Sequence, residues 1–368
     1  MINAKDLFFF LRKNKINFFA GVPDSVLKNF SKILDLNKKK ITNIITGNEG
    51  SAIALGAGNY LATKKIPLVY MQNSGLGNAV NPLISICHSK VYSIPIILMI
   101  GWRGSPTDND EPQHQLKGKI TPSILKLLDI KFSILSNFSD LKKIKKLYNY
   151  AKNKKRPVAF LIKNKTLVLE KEKANNKSVN YLTREIVVNE LLCKINKNTR
   201  IISATGYTSR ELYQIRKNKN YKKGKDFYMV GGMGHSSMLS LGYSLNTKNQ
   251  VICLDGDGSL LMHLGSLIST GLKSKSNFKH ILLNNGSHES VGGQKIDTLK
   301  VDFEKISKGF GYKNYFFANN QPSLINCLGK FLRLKGPSFF EIHIDQYIIK
   351  NLSRPGNLER IKQDFSKS

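Results

Sequence analysis

The chain has 368 residues, which is enough to bury substantial cores and most simply makes two domains. Its net charge of +33 raises the question of nucleic-acid binding, but the lysines are spread over nearly every predicted loop and exposed helix face, and no nucleic-acid-binding module is recognisable. A lysine-rich composition therefore explains the charge better than a nucleic-acid partner does, although such a field can help to steer a multiply anionic substrate.

The sequence predicts neither secretion nor membrane insertion. Its N-terminal apolar run, residues 8–11, is too short for a signal peptide, and no run approaches the ~18 residues that a membrane span requires. The four cysteines are isolated among apolar neighbours and no pair has metal-ligand spacing; they are Cys87, Cys193, Cys253 and Cys327. This pattern predicts reduced, structural thiols in a cytoplasmic protein.

The first half of the chain alternates between helix and strand signals. The predicted elements, in order, are helix 4–12, strand 17–21, a helix from about residue 26, strand 41–46, helix 51–63, strand 68–72, a further helix, strand 94–100, a polar loop 101–119, a basic helix and strand 157–163. Asp24 or Ser25 is expected to cap the helix that begins near Val26.

A polar segment without sustained periodicity then separates two similar halves. We predict one domain over residues 1–165, a linker over 166–181 and a second domain over 182–368. The second half restarts with helix 184–195 and strand 200–204, and residues 236–258 repeat the order of small-residue helix, basic turn, apolar strand and glycine turn seen in residues 51–75. The predicted fold class is therefore α/β, with two similar open parallel-sheet domains.

Two strands of the second half end in polar residues. An apolar run, 251–254, leads into Gly256-Asp257-Gly258, and a second run, 281–283, leads into Asn284-Asn285-Gly286, with a predicted crossover helix, 260–272, between them. At this edge of a parallel sheet a phosphate can bind at the helix N-terminus, and Asp257 and Asn285 offer oxygen ligands suited to Mg²⁺. The alternative is an ordinary βαβ unit with glycine turns.

The GDG and NN pair, separated by 25 residues, resembles the thiamine diphosphate signature of the superfamily that contains decarboxylases, acetolactate synthase and transketolase. The resemblance implies thiamine diphosphate and Mg²⁺ as cofactors, with Asp257, Asn285 and the carbonyl of Ser287 as metal ligands. It also implies a pyrimidine-binding and a diphosphate-binding domain without a middle domain. Met233 matches the apolar residue that supports the bent cofactor, and core packing is compatible with that role. The other implied cofactor-binding positions are Asn73, Gly75, Gly232, Gly256, Gly258 and Ser259.

Glu49 matches the carboxylate that hydrogen bonds to the cofactor pyrimidine. It ends a predicted strand and begins a small-residue helix, where apolar surroundings raise a carboxyl pKa. The alternative is a surface glutamate in the first turn of a helix, where the dipole favours it. In the superfamily the cofactor lies between two subunits, so the resemblance implies a homo-oligomer, at least a dimer, with Glu49 and Asp257 of each site supplied by different chains.

The remaining motifs are similar to those of phosphonopyruvate decarboxylases over nearly the whole chain. They are GVPDS (21–25), NEG (48–50), YMQNSGLGNAVNPL (70–83), GWRG (101–104), EPQH (111–114), SRELY (209–213) and NNGSHESVGGQ (284–294). The resemblance implies conversion of 3-phosphonopyruvate to phosphonoacetaldehyde and CO₂, as in phosphonate biosynthesis. The tail after Tyr347 matches least well.

The implied reaction needs a proton donor after loss of CO₂ and a pocket for a second anionic group. His114 and His288 are the candidate donors, and either can instead be structural. The substrate candidates are Asp24, Arg103, Gln113, Ser290 and Gln294. Sulfopyruvate decarboxylase, often split into two subunits, is an alternative that the fused chain modestly disfavours. A cofactor-free, basic anion-binding or nucleic-acid-binding protein is the non-enzymatic alternative.

Overall fold

The computed structural model describes residues 1–106, 108, 110–169, 182–347, 349 and 351–367. The chain divides into two compact units: unit one is Met1–Ala174 with Ser290–Gln294, and unit two is Asn175–Glu289 with Lys295–Ser368. Most of the predicted linker, residues 170–181, lies outside the described residues, so the predicted domain boundaries stay a prediction. None of the helices in the described ranges is long and apolar enough to cross a membrane.

Unit one alternates strands and helices from its first residues. Its elements are β1 (Ile2–Asn3), α1 (Ala4–Lys13), β2 (Phe18–Gly21), α2 (Lys28–Leu36), β3 (Thr42–Ile45), α3 (Glu49–Thr63), β4 (Leu68–Gln72), a 3₁₀ turn (Asn73–Gly75), α4 (Leu76–Pro82), a π turn (Leu83–Cys87), β5 (Ile97–Trp102), α5 (Pro112–Leu127), β6 (Lys131–Leu135), a 3₁₀ turn (Phe138–Asp140), α6 (Leu141–Lys154), β7 (Val158–Lys163) and β8 (Leu167–Val168).

Six of these strands form one parallel sheet in the order β3-β2-β4-β5-β7-β6, and β1 pairs with β8 beside it. The central strands β5 and β7 are apolar runs buried along nearly their whole length. Such runs are typical of parallel strands covered on both faces, and two separate apolar clusters cover the sheet. The polar residues that follow the strands are thereby left at the sheet edge.

Unit two repeats the alternation. Its helices are α7 (Arg184–Lys194), α8 (Tyr207–Asn218), α9 (Ser236–Ser244), α10 (Asp257–Met262), α11 (Ser266–Lys273), α12 (Phe303–Gly309), α13 (Gln321–Arg333) and α14 (Leu358–Ser366). Its sheet strands are β9 (Arg200–Ser203), β10 (Lys225–Tyr228), β11 (Val251–Gly256), β12 (Phe278–Asn284), β15 (Asn314–Ala318) and β16 (Ser338–His343). Between β12 and α12 the chain forms two short strands, β13 (Ser287–His288) and β14 (Gln294–Lys295), and two 3₁₀ turns, Glu289–Val291 and Asp297–Lys300. Within this stretch, Ser290–Gln294 groups with unit one.

The second sheet is also parallel and has the order β10-β9-β11-β12-β16-β15. When the six strands of each sheet are numbered in chain order, both sheets have the strand order 2-1-3-4-6-5. By this numbering β4 is equivalent to β11, and β3 is equivalent to β10. The prediction of two similar parallel-sheet α/β domains without a middle domain is thus confirmed, and its basis was the repeated pattern of helix, strand and glycine turn.

Three local predictions are wrong. Residues 112–119 are not loop, because Pro112 occupies the first helical position of α5, where a missing N–H costs nothing. Helix α2 begins at Lys28 with no side-chain cap, and Asp24 instead accepts the N–H of Val26. The single crossover helix is two helices, α10 and α11, interrupted at residues 263–265.

The strands that the sequence analysis does not predict lie at sheet edges. β6, β10 and β15 are each the outermost strand at one edge of a sheet, and most of their residues are only partly buried. An edge strand needs fewer apolar residues than a central one, so its sequence signal is weak.

Candidate active site

Asp257 lies at the start of α10, directly after the central strand β11 of unit two, and is 4% exposed. Its carboxylate accepts the N–H of Gly258 at 2.8 Å, the hydroxyl of Thr298 at 2.9 Å and the N–H of Ser287 at 3.3 Å. Burial raises the pKa of Asp257, whereas these donors lower it because they favour the charged form. The side chain is thus held in one orientation at the helix N-terminus.

Asn285 and Ser287 follow the neighbouring strand β12 and reach the same place. The Ser287 N–H that donates to Asp257 also lies 3.1 Å from Oδ1 of Asn285, so all three predicted metal ligands are neighbours. Gly286 between them has φ +63°, the left-handed conformation that glycine adopts without strain. The buried Ser287 hydroxyl has no hydrogen-bond partner among the described residues. This is a set of hard oxygen donors of the kind that Mg²⁺ binds.

Glycine at position 258 makes room for two predicted site residues. A Cβ at Gly258 would lie 2.6 Å from Nδ1 of His288 and 3.4 Å from the terminal carbon of Met233. Ser259 accepts the N–H of Gly234 at 3.1 Å, which connects residues 232–234 (Gly-Met-Gly) to α10. Burial lowers the pKa of His288 to about 4, so its imidazole is neutral at neutral pH.

The positions of Gly232 and Gly256 agree with turns rather than with crowding. Gly232 has φ +66°, and a Cβ there would meet only Met229, at 3.4 Å. Gly256 has an extended backbone and precedes the helix that Asp257 begins. The positive φ of Gly232 therefore explains why glycine occupies this position. The cofactor contacts predicted for both glycines stay predictions.

A buried ionic network behind Asn285 was not predicted from the sequence. Arg184 donates to Glu211 at 2.6 Å and to Glu289 at 2.7 Å, and Oε2 of Glu289 also accepts the side-chain amide of Asn285 at 3.2 Å. The network orients the Asn285 amide, since Nδ2 is engaged by Glu289 while Oδ1 stays on the side of Ser287. Burial raises the pKa of Glu211 to about 6. The sequence gives no sign of this contact, because Arg184 and Glu289 are 105 residues apart in the chain.

Glu49 is the first residue of α3 in unit one and is 4% exposed. Its Oε2 accepts the side-chain amide of Asn78 at 2.8 Å, and a Cβ at Gly75 would lie only 2.0 Å from Oε1. Burial raises the pKa of Glu49, and the hydrogen bond from Asn78 opposes that rise. Glu49 is therefore not a surface glutamate: it is a buried carboxyl whose space depends on the glycine at position 75.

Asn73 directly follows β4, and its side chain connects this strand end to Arg103 and Thr121. Its amide donates to the carbonyl of Arg103 at 2.9 Å and to the hydroxyl of Thr121 at 3.0 Å, and its oxygen accepts the Arg103 N–H at 3.2 Å. These contacts fix the chain that follows β5 and occupy both amide protons. A cofactor contact by Asn73, which stays a prediction, is left with its carbonyl lone pair or its backbone.

Asp24 follows β2 in the chain and is fully buried. It accepts Gln72 Nε2 at 2.9 Å and the Val26 N–H at 3.1 Å, and a Cβ at Gly101 would lie 1.8 Å from its carboxylate. Burial raises the pKa of Asp24, although the Gln72 hydrogen bond and the charge of Arg103 oppose the shift. A buried carboxyl with a raised pKa is a candidate proton-transfer group.

Arg103 makes a bidentate ion pair with Asp110, at 2.6 and 2.7 Å, and donates to Ser25 Oγ at 3.2 Å. The hydrogen bonds to Asp110 raise the pKa of Arg103 and neutralise its charge locally. Arg103 is thus less suited to bind an anion than its place after β5 suggests.

His114 and Gln113 lie in the first turn of α5 rather than on a loop. Burial is the largest cause that lowers the pKa of His114 to about 4, and the charge of Arg103 adds to it. The buried Nδ1 of His114 has no hydrogen-bond partner within the described ranges. Gln113 donates to Glu111 at 2.9 Å. A neutral imidazole with a free nitrogen suits proton exchange with a substrate.

Ser290 and Gln294 differ in environment. Ser290 is exposed, whereas Gln294 is 4% exposed and its buried Oε1 has no hydrogen-bond partner among the residues that the structure describes. Both lie in the segment Ser290–Gln294, which groups with unit one. Gln294 therefore stays the stronger substrate candidate of the two.

Sequence comparisons place these residues in a known family. The N-terminal domain model of thiamine pyrophosphate enzymes matches residues 2–123, and the C-terminal, thiamine pyrophosphate-binding domain model matches residues 204–342. The phosphonopyruvate decarboxylase of Streptomyces viridochromogenes is 31% identical over 96% of this chain and 91% of its own length. The chain belongs to the thiamine diphosphate-dependent decarboxylases.

Two further relatives show how close the subgroups are. The phosphonopyruvate decarboxylase of Streptomyces hygroscopicus is 30% identical to this chain, over 96% of this chain and 90% of its own length. The sulfopyruvate decarboxylase of Methanosarcina acetivorans is 27% identical to this chain, over 94% of this chain and 90% of its own length. Because that sulfopyruvate decarboxylase also matches as one chain, the fused chain does not favour the phosphonate substrate.

The residues of both units fit the family's cofactor. The buried carboxyl of Glu49 beside Gly75 suits the pyrimidine ring, and the oxygen donors around Asp257 suit a divalent cation with a diphosphate. Mg²⁺ is the usual partner metal in this family.

Proposed function

We propose that the enzyme decarboxylates 3-phosphonopyruvate to phosphonoacetaldehyde and CO₂, with Mg²⁺ as the metal, in phosphonate biosynthesis. The observation that carries the proposal is the similarity over 96% of the chain to two phosphonopyruvate decarboxylases, at 31% and 30% identity. Bound thiamine diphosphate supplies the nucleophilic carbon and the electron sink that 2-oxo acid decarboxylation requires.

In this proposal the two units divide the work. Glu49 holds a proton at its carboxyl and donates it in a hydrogen bond to the pyrimidine, which agrees with the raised pKa that burial gives it. Asp257, Asn285 and the carbonyl of Ser287 would hold Mg²⁺, whose charge would compensate that of a diphosphate. Arg184 and Glu289 keep the Asn285 amide in its orientation.

The buried histidines act as neutral imidazoles. The pKa of both His114 and His288 is lowered to about 4, so neither stores a proton at neutral pH. We propose that His114 donates a hydrogen bond to the substrate and relays a proton to it. The buried carboxyl of Asp24, whose pKa burial raises, is a second candidate for proton transfer. The remaining substrate candidates are Arg103, Gln113, Ser290 and Gln294. Of these, Arg103 has its charge balanced by Asp110.

Comparison of kcat/KM for phosphonopyruvate, sulfopyruvate and pyruvate tests the substrate. The expected result is a clear preference for phosphonopyruvate. A preference for sulfopyruvate would replace the substrate and keep the cofactor chemistry, and it is the second candidate because of the match to the enzyme of Methanosarcina acetivorans. Turnover of pyruvate alone would exclude both.

We also propose a homodimer in which Glu49 and Asp257 of one active site come from different chains. Mixing the inactive variants Glu49→Gln and Asp257→Asn, with exchange of subunits, tests it. Shared sites restore about a quarter of the wild-type activity, because half of the dimers are mixed and each has one intact site. No recovery after demonstrated exchange would show that both residues of a site belong to one chain.

A further inference from the structure

Unit two contains a buried cluster of potential metal ligands that the proposed reaction does not use. Cys253 and His280 are register partners on the adjacent strands β11 and β12, and Asp255 lies two residues beyond Cys253 on the same face of the sheet. Each of the three residues is at most 1% exposed. One ligand atom from each lies within 4.8 Å of the other two.

A hydrogen bond to Tyr312 holds one ring nitrogen of His280. The Tyr312 hydroxyl lies 2.7 Å from Oγ1 of Thr270 and 3.0 Å from Nδ1 of His280. In the tautomer with a proton on Nδ1, Nδ1 donates to the Tyr312 oxygen and Nε2 offers its lone pair to the cluster. A histidine that binds a metal is oriented in this way, through a hydrogen bond from its other nitrogen.

The second ring nitrogen, Nε2, lies beside a carboxylate oxygen. Nε2 of His280 has no hydrogen-bond partner within the described part of the chain and lies 3.5 Å from Oδ2 of Asp255. In that tautomer the Nε2 lone pair faces a carboxylate oxygen, which is repulsive. The other oxygen of Asp255 accepts the Gly256 N–H at 2.9 Å. A cation between these groups would remove the repulsion and compensate the buried charge.

Two serines complete the surroundings. Ser236 and Ser240 lie one turn apart on α9, and both side chains lie beside the Cys253 thiol. Their buried hydroxyl oxygens have no partner that meets hydrogen-bond geometry among the described residues. Either hydroxyl, or a water molecule that it binds, offers the fourth position of a tetrahedral site.

We propose that Cys253, Asp255 and His280 bind one zinc ion, separate from the magnesium site at Asp257 and Asn285. Sulfur, imidazole nitrogen and carboxylate oxygen together favour zinc over Mg²⁺. Thiolate and carboxylate neutralise the dication, and the thiol proton leaves to solvent. In a tetrahedral site the ligand atoms lie about 3.6 Å apart. Atoms that lie within 4.8 Å of one another therefore come together by at most about 1 Å on binding. The ion joins the two strands whose ends carry the magnesium ligands.

Elemental analysis of the full-length protein, purified without chelator and then dialysed, tests the proposal. We expect one zinc per chain in the wild type and in Cys87→Ala, which removes an equally buried cysteine from unit one, and at least about tenfold less in Cys253→Ala. A zinc chelator is expected to lower Tm, and zinc but not Mg²⁺ to restore it.

Cobalt substitution tests the site without any variant. Co²⁺ added to the chelated wild-type protein is expected to give the near-ultraviolet thiolate-to-cobalt absorption band, which stays in Cys87→Ala. The proposal is overturned if the dialysed wild type holds no zinc and Co²⁺ gives no such band. Equal zinc in the wild type and in a folded Cys253→Ala variant also overturns it. His280 then lies beside Asp255 in a metal-free core. Neither outcome bears on the decarboxylation assay.

Discussion

The two units share one strand order but carry different chemistry at equivalent strand ends. In unit one, β4 is followed by Asn73–Gly75, whose last glycine leaves the space that Glu49 fills. In unit two, the equivalent β11 is followed by Asp257 itself. The carboxyl of Glu49 has one side-chain donor, Asn78, whereas Asp257 accepts two backbone amides and a hydroxyl.

This difference separates a proton-holding carboxyl from a cation-holding one. Burial raises the pKa of both groups, but Glu49 has fewer donors to favour its charged form. Asp257 is surrounded by donors and by further oxygen ligands, so a divalent cation completes its environment. Two sheets of the same strand order can thus hold either a proton or a cation, because the few residues that follow a strand determine the chemistry at its end.

The largest expected effects distinguish the two carboxyls directly. Glu49→Gln and Asp257→Asn are both expected to abolish decarboxylation, by at least about 10³-fold in kcat. Only Asp257→Asn should also abolish Mg²⁺-dependent binding of thiamine diphosphate, because Glu49 takes no part in holding the metal. Calorimetric titration with the cofactor and Mg²⁺ measures that binding.

Loss of Mg²⁺-dependent binding in Glu49→Gln as well would contradict the division between the units. Unchanged turnover in either variant would remove that residue from the proposed chemistry. Circular dichroism of both variants checks that a missing binding signal is not caused by unfolding.

Gly75→Ala tests the space that the first unit keeps for Glu49. The added methyl carbon would lie 2.0 Å from Oε1, and the flexible end of Glu49 is the group that must move. Displacement of a catalytic carboxyl by about 1 Å is expected to lower kcat by about 10²-fold, with little change in Tm. Gly77→Ala is the control, because no atom lies within 4 Å of a Cβ at Gly77. Equal activity of the two variants would show that Glu49 tolerates the shift.

The sequence predicts such positions well when the signal is local. Asp257 and Asn285 follow apolar runs, and their glycines mark tight turns, so the strand ends could be located without coordinates. The same signals predict two similar parallel sheets. They fail at α5, where proline and glycine inside the helix resemble a loop, and at the weakly apolar edge strands.

Long-range contacts between charged groups escape such a reading. Arg184, Glu211 and Glu289 look like ordinary surface residues in the sequence, yet all three lie in one buried ionic network. Likewise, the cysteine spacing gives no sign that Cys253 lies beside Asp255 and His280, because β12 supplies the third residue. Strand register, which is a property of the fold, brings them together.

Glu289→Ala tests whether the network orients Asn285. The amide of Asn285 loses its acceptor, and the affinity for Mg²⁺ in the presence of cofactor is expected to fall about 10- to 100-fold, as for other residues behind metal ligands. Asp226→Ala breaks a comparable buried ion pair with Arg216, away from Asn285, and is expected to leave that affinity unchanged. An equal loss of affinity in both variants would attribute the effect to general destabilisation.

The smallest effect concerns the pH dependence of stability in unit one. Burial lowers the pKa of His114 from 6.5 to about 4, so between these values the unfolded chain binds a proton that the folded chain excludes. His114 therefore contributes stability that is present above pH 6.5 and is lost as the pH falls toward 4. In His114→Gln this loss is absent, and Tm should fall less than in the wild type across that window. His88→Gln, in the same unit, is the control. Parallel curves of Tm against pH for wild type and His114→Gln would show that His114 is not buried as a neutral imidazole, and it would then be a poor candidate for the proposed relay.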